Sequence, residues 1–209
     1  MPLFSQVLLK YYRENLYSAY VKAYVDFAED MNLDKLNSNL LKVYRKDTTR
    51  LDVTQELAKS FYFMRDYEKA LYYYEKFIAM KRFSGLEVYP AENFKIASVY
   101  RLLKKDQEAS IYLDEFEDYI NRDQSLYRHL NYFIYYTYKG ENETALSELE
   151  EFSEEKNFHY WILIFLEMDP ALDEIKNDPK FQILMKKINK TFNLRKEEIE
   201  AYLESKDLI

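Results

Sequence analysis

Few residues in this sequence could carry out acid–base or metal chemistry. Its 209 residues include two histidines, His129 and His159, and no cysteine. Neither histidine has a second histidine one helical turn away, as a two-histidine metal site on a helix requires. We therefore predict no metal site, and we interpret both side chains as partly buried structural residues beside aromatic neighbours.

A cluster of acidic residues in the last third of the chain could suggest general acid–base catalysis. It consists of Asp169, Asp173, Glu174 and Asp178. Asp169 and Asp178 each precede a proline, a pair typical of helix starts, because the carboxylate caps the helix and proline suits its first turn. No serine lies in a glycine-flanked elbow. The sequence therefore predicts no catalytic residue and no enzyme.

Glycine content and charge argue against several other classes of protein. With two glycines and four prolines the chain lacks material for phosphate-binding loops, so we predict no nucleotide cofactor. The net charge of −7 opposes non-specific binding to nucleic acid. Acidic residues interleave with two basic sets, which we interpret as solvated helix faces, with RNA or DNA contact as the alternative: Lys42, Arg45, Lys46 and Arg50, and Lys186, Lys187, Lys190, Arg195 and Lys196.

The sequence also gives expectations for location. Its longest purely apolar run, residues 160–166, has seven residues, whereas a membrane-spanning helix needs about 20. The N-terminal residues show neither a basic start before the apolar positions nor a small-residue cleavage site, so no secretory signal is predicted. The absence of cysteine is compatible with a reducing compartment. We predict a soluble, cytoplasmic protein without membrane partners.

Apolar residues recur at spacings of three and four through most of the chain, which predicts helices. Residues 4–29 predict one long helix or two in series, and residues 32–46 predict another. Residues 57–78 are the most regular segment and predict two helices joined by a turn at Arg65 and Asp66. Further breaks are predicted at residues 83–85, at Tyr89 and Pro90, at Lys105 and Asp106, and at residues 139–142.

The helical segments share one template of small and large residues. Ala70, Ala109 and Ala145 follow each other at 39 and 36 residues, and Leu36 lies 34 residues before Ala70. The template recurs as Ala58, Phe61, Tyr67, Ala70, Tyr74 and Phe77, as Ile96, Ala97, Tyr100, Ala109, Leu113 and Phe116, and as Tyr132, Phe133, Tyr136, Ala145, Leu149 and Phe152. It resembles the tetratricopeptide repeat, in which small residues let two helices approach closely and bulky residues fill the gaps.

The resemblance implies an all-α, right-handed superhelix of antiparallel helix pairs, in one domain over residues 1–209. We expect repeats at about residues 17–50, 51–86, 90–123 and 126–156, followed by capping helices over about 157–209. The first repeat is degenerate, because Leu36 replaces the family's alanine.

The C-terminal residues 169–188, DPALDEIKNDPKFQILMKKI, resemble a tail found after such arrays in bacterial regulators and signalling proteins. Two helices are expected to start after Asp169 and Asp178. The apolar stripe of the second one should close the end of the array: Phe181, Leu184, Met185 and Ile188. We expect a separate, highly charged helix from Asn193 to the C-terminus.

Because tetratricopeptide repeats are scaffolds, the resemblance implies a protein that binds a peptide or helix of a partner in a concave groove. The family's groove positions fall on Lys59, Tyr62, Phe63, Phe94, Ser98, Arg101, Ile134 and Tyr138. The aromatic residues would be anchors, and Lys59 and Arg101 would meet polar or acidic groups. The alternative is the sensor or dimerisation half of a bacterial transcription regulator or signalling protein, with its output domain upstream. The sequence leaves the partner open, as well as whether the chain forms a homodimer.

Overall fold

The computed structural model describes residues 15–208, which form α-helices joined by short connections without a β-strand. This confirms the all-helical fold class. Two short 3₁₀ turns, Pro90–Glu92 and Pro170–Leu172, interrupt the described helices. The ten helices of this range are α1 (Leu16–Asp30), α2 (Leu33–Lys46), α3 (Leu51–Phe63), α4 (Tyr67–Ser84), α5 (Asn93–Leu102), α6 (Asp106–Arg122), α7 (Arg128–Lys139), α8 (Asn142–Phe152), α9 (Tyr160–Met168) and α10 (Pro179–Glu204).

The chain divides into two compact units. Of the described residues, unit 1 contains 15–89 and 95–109, and unit 2 contains 90–94 and 110–208. Within unit 1, α1 packs against α2, α2 against α3 and α3 against α4. Within unit 2, α7 packs against α8, and α10 packs against both α8 and α9. Helices that are neighbours in sequence therefore pack as pairs, whereas one continuous superhelical array stays a prediction.

One type of closure ends five of the described helices, α4 and α10 among them, and it forms the three turns after α3, α5 and α7. In each, a backbone N–H donates to the carbonyl oxygen five residues earlier, and the N···O distances are 3.0, 2.9 and 2.9 Å: Asp66 to Phe61, Lys105 to Tyr100 and Glu141 to Tyr136. The residue before each donor has a left-handed backbone, with φ of 63° at Arg65, 59° at Lys104 and 77° at Gly140. This is the Schellman closure of a helix C-terminus. The three turns recur at spacings of 39 and 36 residues, the same as the template alanines.

The template positions after these turns are buried. Ala70, Ala109 and Ala145 are at most 3% exposed, and Phe77, Phe116 and Phe152 are fully buried. An earlier turn lies between α1 and α2, where Met31 has φ of 54° and its N–H donates to the Phe27 carbonyl at 2.8 Å. In this turn the accepting carbonyl lies four residues before the donor, whereas in the turns after α3, α5 and α7 it lies five residues before the donor. The next template position, Leu36, is also buried.

The C-terminal region differs from the sequence expectation in two places. Asp169 and Asp178 cap the following turns as predicted, since each carboxylate accepts a backbone N–H two residues later. However, only the 3₁₀ turn follows Asp169, so the helix expected there is wrong. The separate helix expected from Asn193 is also wrong, because α10 runs unbroken for 26 residues. No proline or glycine lies within α10 after its first residue, so nothing in its sequence ends the helix at that point.

The first half of α10 carries the predicted apolar stripe. Phe181, Leu184, Met185 and Ile188 are buried in one cluster with residues of α7, α8 and α9, including Phe133. Residues 4–14 of the first predicted helix lie outside the described range, and α1 accounts for the remainder. Over residues 15–208, the structure contains no helix that is both long and apolar enough to cross a membrane.

Candidate functional site

The predicted groove residues fall in both units, and in unit 1 they begin with Lys59 on α3. Its ammonium nitrogen lies 2.7 Å from a carboxylate oxygen of Glu56, and both side chains are less than 15% exposed. The Glu56 carboxylate also accepts a hydrogen bond from the Tyr24 hydroxyl of α1. Lys59 is therefore an ion-paired, largely covered cation, and a partner's acidic group would compete with Glu56 for it.

Tyr62 and Phe63, the aromatic anchors expected in unit 1, lie in its core. Tyr62 is fully buried and Phe63 is 5% exposed, and their ring centroids are 5.5 Å apart. Ser98 on α5 is buried as well. The expectation placed these residues on a concave face that α3 would leave open to a partner, but α3 packs against both α2 and α4 and buries nine of its 13 residues. In the structure these side chains stabilise unit 1 and present little surface to a partner.

Arg101 is the predicted groove residue in unit 1 that lies clearly at the surface. It belongs to the last turn of α5, where its side chain is exposed. The adjacent Leu102 is 45% exposed. A cation beside an accessible apolar side chain is an arrangement that can hold the acidic and apolar groups of a peptide.

In unit 2, Phe94, Ile134 and Tyr138 come together. The Phe94 ring is buried, with its centroid 5.5 Å from that of Phe116 and 5.9 Å from that of Tyr138. Tyr138 and Ile134 are half-buried and pack on the cluster that contains Phe94 and Phe116. Phe94 is thus a core residue that Tyr138 helps to cover, and the accessible surface here is supplied by Tyr138 and Ile134.

A polar cluster beside Lys59 was not predicted from the sequence. The Arg50 guanidinium lies 5.4 Å from the centroid of the Tyr20 ring and donates to Asp52 through Nε at 3.1 Å. Burial raises the pKa of the Tyr20 phenol, and the Glu56 and Asp52 carboxylates raise it further. For Asp52, burial acts to raise the pKa, but the hydrogen bonds from Arg50 and from the Val53 backbone N–H, together with the Arg50 charge, leave the pKa below its ordinary value. The cluster joins α1 to the start of α3, because Tyr20 of α1 lies against the Arg50 guanidinium. The Arg50 charge is offset by Asp52, and the Glu56 charge is offset by Lys59.

The histidines and acidic residues occupy structural positions. His129 Nδ1 lies 2.7 Å from Glu148 Oε2 and is half-buried. His159 stacks on Tyr127, with ring centroids 6.2 Å apart, but it is exposed, so the expected partial burial is wrong for this residue. Asp173 accepts from the Lys176 ammonium group at 3.0 Å. In the part of the chain that the structure describes, no group of three or more histidine or acidic side chains could hold a metal ion.

Comparison with known proteins gives no family to which the chain could be assigned. No protein-family model matches the sequence, and no curated protein matches it.

Proposed function

We propose that the chain is a helical-repeat scaffold of the tetratricopeptide kind, which binds a peptide or helix of a partner protein. One observation carries the proposal. The Schellman turn after α3 recurs after α5 and α7 with the same hydrogen bonds, and a buried alanine follows each turn at the same distance. Helix-pair repeats of this kind complete their packing with neighbouring repeats and leave other helix faces available to a partner.

The proposed contacts are the accessible members of the predicted set. In unit 1 these are Arg101 and Lys59. An acidic group of the partner would compete with Glu56 for Lys59. In unit 2 they are Ile134 and Tyr138. Arg101 is the best single probe, because an exposed guanidinium can make charge-assisted hydrogen bonds with a carboxylate, each worth about 1.5–3 kcal/mol. Tyr62, Phe63, Phe94 and Ser98 would act by supporting these surfaces from the core.

The test uses the full chain, immobilised as wild type and as Arg101→Glu, to capture partners from cells that express it. Arg82→Glu is the matched control, because Arg82 is also an exposed arginine in the last turn of a helix of unit 1. We expect Arg101→Glu to lose the partner that wild type and Arg82→Glu retain. All three chains should melt at the same temperature in circular dichroism. Normal capture by Arg101→Glu would contradict the proposed surface, and unfolding of this variant would make Arg101 a structural residue.

A further inference from the structure

The second half of α10 carries an apolar stripe that the rest of unit 2 covers only in part, because Phe192 packs on Phe158 and Tyr160 whereas Ile199 is exposed. In the first half, the stripe of Phe181, Leu184, Met185 and Ile188 is buried against other helices. The same helical face continues at Phe192, Ile199 and Leu203, at successive spacings of four, seven and four residues from Ile188. Beyond Ile188 no described residue of α10 is buried, and Ile199 is 47% exposed.

This partly covered face borders a groove. The groove has a volume of about 440 Å³ and lies between α10 and the connection from α8 to α9. Its lining consists of Lys156, Asn157, Phe158, Phe192, Arg195, Lys196, Ile199 and Glu200. The floor is aromatic, because Phe158 is buried with its ring centroid 6.2 Å from that of Phe192, on which Tyr160 stacks at 5.3 Å. The volume is within the range of about 300–1,000 Å³ typical of binding clefts.

The charges around this floor are mostly positive. Three cations, Lys156, Arg195 and Lys196, surround it with one acidic residue, Glu200. Arg195 is paired with Glu198 at 2.8 Å and Lys196 lies 3.7 Å from Glu200. Lys156 has no ion-pair partner within residues 15–208. Glu198 and Glu200 thus offset two of the three cations, and Lys156 leaves one positive charge without an acidic partner among the described residues. On a chain whose net charge is −7, this local positive charge favours an anionic group at this place, while the acidic remainder of the chain disfavours it elsewhere.

We propose that this groove binds an acidic amphipathic helix of a partner protein. Helices cover the first half of the α10 stripe, so a helix along the second half continues the same packing. Its apolar side chains would lie on Phe158, Phe192 and Ile199, and its carboxylates would meet Lys156 and Lys196. The stretch from Phe192 to Leu203, in which no residue is buried, is about 17 Å long, or about three helical turns. None of the predicted groove residues of α3, α5 or α7 takes part, so this is a second surface.

The probe is a fluorescein-labelled peptide of about 16 residues. Leucines follow the three-and-four spacing, and the other positions are glutamate and alanine. A second peptide has glutamine in place of glutamate. Fluorescence anisotropy with the full chain should show the acidic peptide binding about ten-fold more tightly than the neutral one, with the difference falling as salt is added. Equal binding of both peptides would overturn the proposal.

Variants of the chain locate the binding. Lys156→Glu and Lys196→Glu should each lower the affinity for the acidic peptide by about ten-fold. Glu200→Lys should raise this affinity. Lys190→Glu is the matched control, because this exposed lysine of α10 does not line the groove. Unchanged affinity in Lys156→Glu and Lys196→Glu, with circular dichroism confirming that both are folded, would refute the site. Sedimentation that shows a dimer of the chain alone, abolished by Ile199→Asp, would show that a second copy covers this face and would also overturn the proposal.

Discussion

Ala145→Leu tests the repeat register, because the sign of the change in stability distinguishes a closely packed site from one with room for a larger side chain. Ala145 is fully buried on α8 and belongs to the cluster that contains Leu130 and Phe133 of α7 and Phe152 of α8. Leucine adds three carbon atoms. If the site had room, each would stabilise the fold by about 0.8 kcal/mol through burial. Because the alanine has no exposed surface, we expect overpacking instead.

The expected loss is about 1–3 kcal/mol in the free energy of unfolding. For a chain of this size, each kcal/mol corresponds to about 2–4 °C, so the melting temperature should fall by about 2–12 °C. Urea unfolding followed by far-ultraviolet circular dichroism measures the loss. Ala79→Leu is the control, since Ala79 is exposed on α4, and it should change stability by less than about 0.5 kcal/mol. An unchanged or higher stability of Ala145→Leu would refute the close packing on which the register depends.

Three further predictions concern the core and the capping helix. Removing residues 178–209 should cause aggregation or loss of helicity, because it uncovers α8 and α9. Light scattering and circular dichroism measure these effects. Removing only residues 194–209 should leave a folded chain. Phe94→Ala should destabilise the chain by about 3–5 kcal/mol in urea unfolding, since the ring is buried in the core and not exposed as a groove anchor. Burial and a hydrogen bond to Glu117 raise the pKa of Tyr135. The unfolded phenol loses its proton near pH 10 while the folded one keeps it, so stability should fall as pH rises above about 10, less steeply in Tyr135→Phe.

Much of the local structure could be predicted from the sequence, because short-range chemistry determines it. Asn32, Asp66 and Asp178 cap helices through side-chain oxygens that accept backbone N–H groups a few residues later. Gly85 and Gly140 end helices with positive φ. Each of these features depends on residues within one helical turn, so periodicity and turn chemistry were sufficient.

The long-range features could not be predicted in the same way. Tyr62 is buried because α2 and α4 both pack on α3, a consequence of the tertiary arrangement and not of helical spacing. His129 pairs with Glu148 across two helices and 19 residues. The contact of the Arg50 guanidinium with the Tyr20 ring depends on how α1 meets the start of α3. No periodicity in one helix indicates which residues of another helix lie opposite.

Amide hydrogen exchange of the full chain, with and without its captured partner, tests the central claim most directly. If helix faces of the repeats form the binding surface, the partner should slow exchange in the last turn of α5 around Arg101. Arg101→Glu should abolish this protection, and Arg82→Glu should leave it intact. Protection confined to the second half of α10, with α5 unchanged, would contradict the proposed function and leave the C-terminal groove as the site of binding.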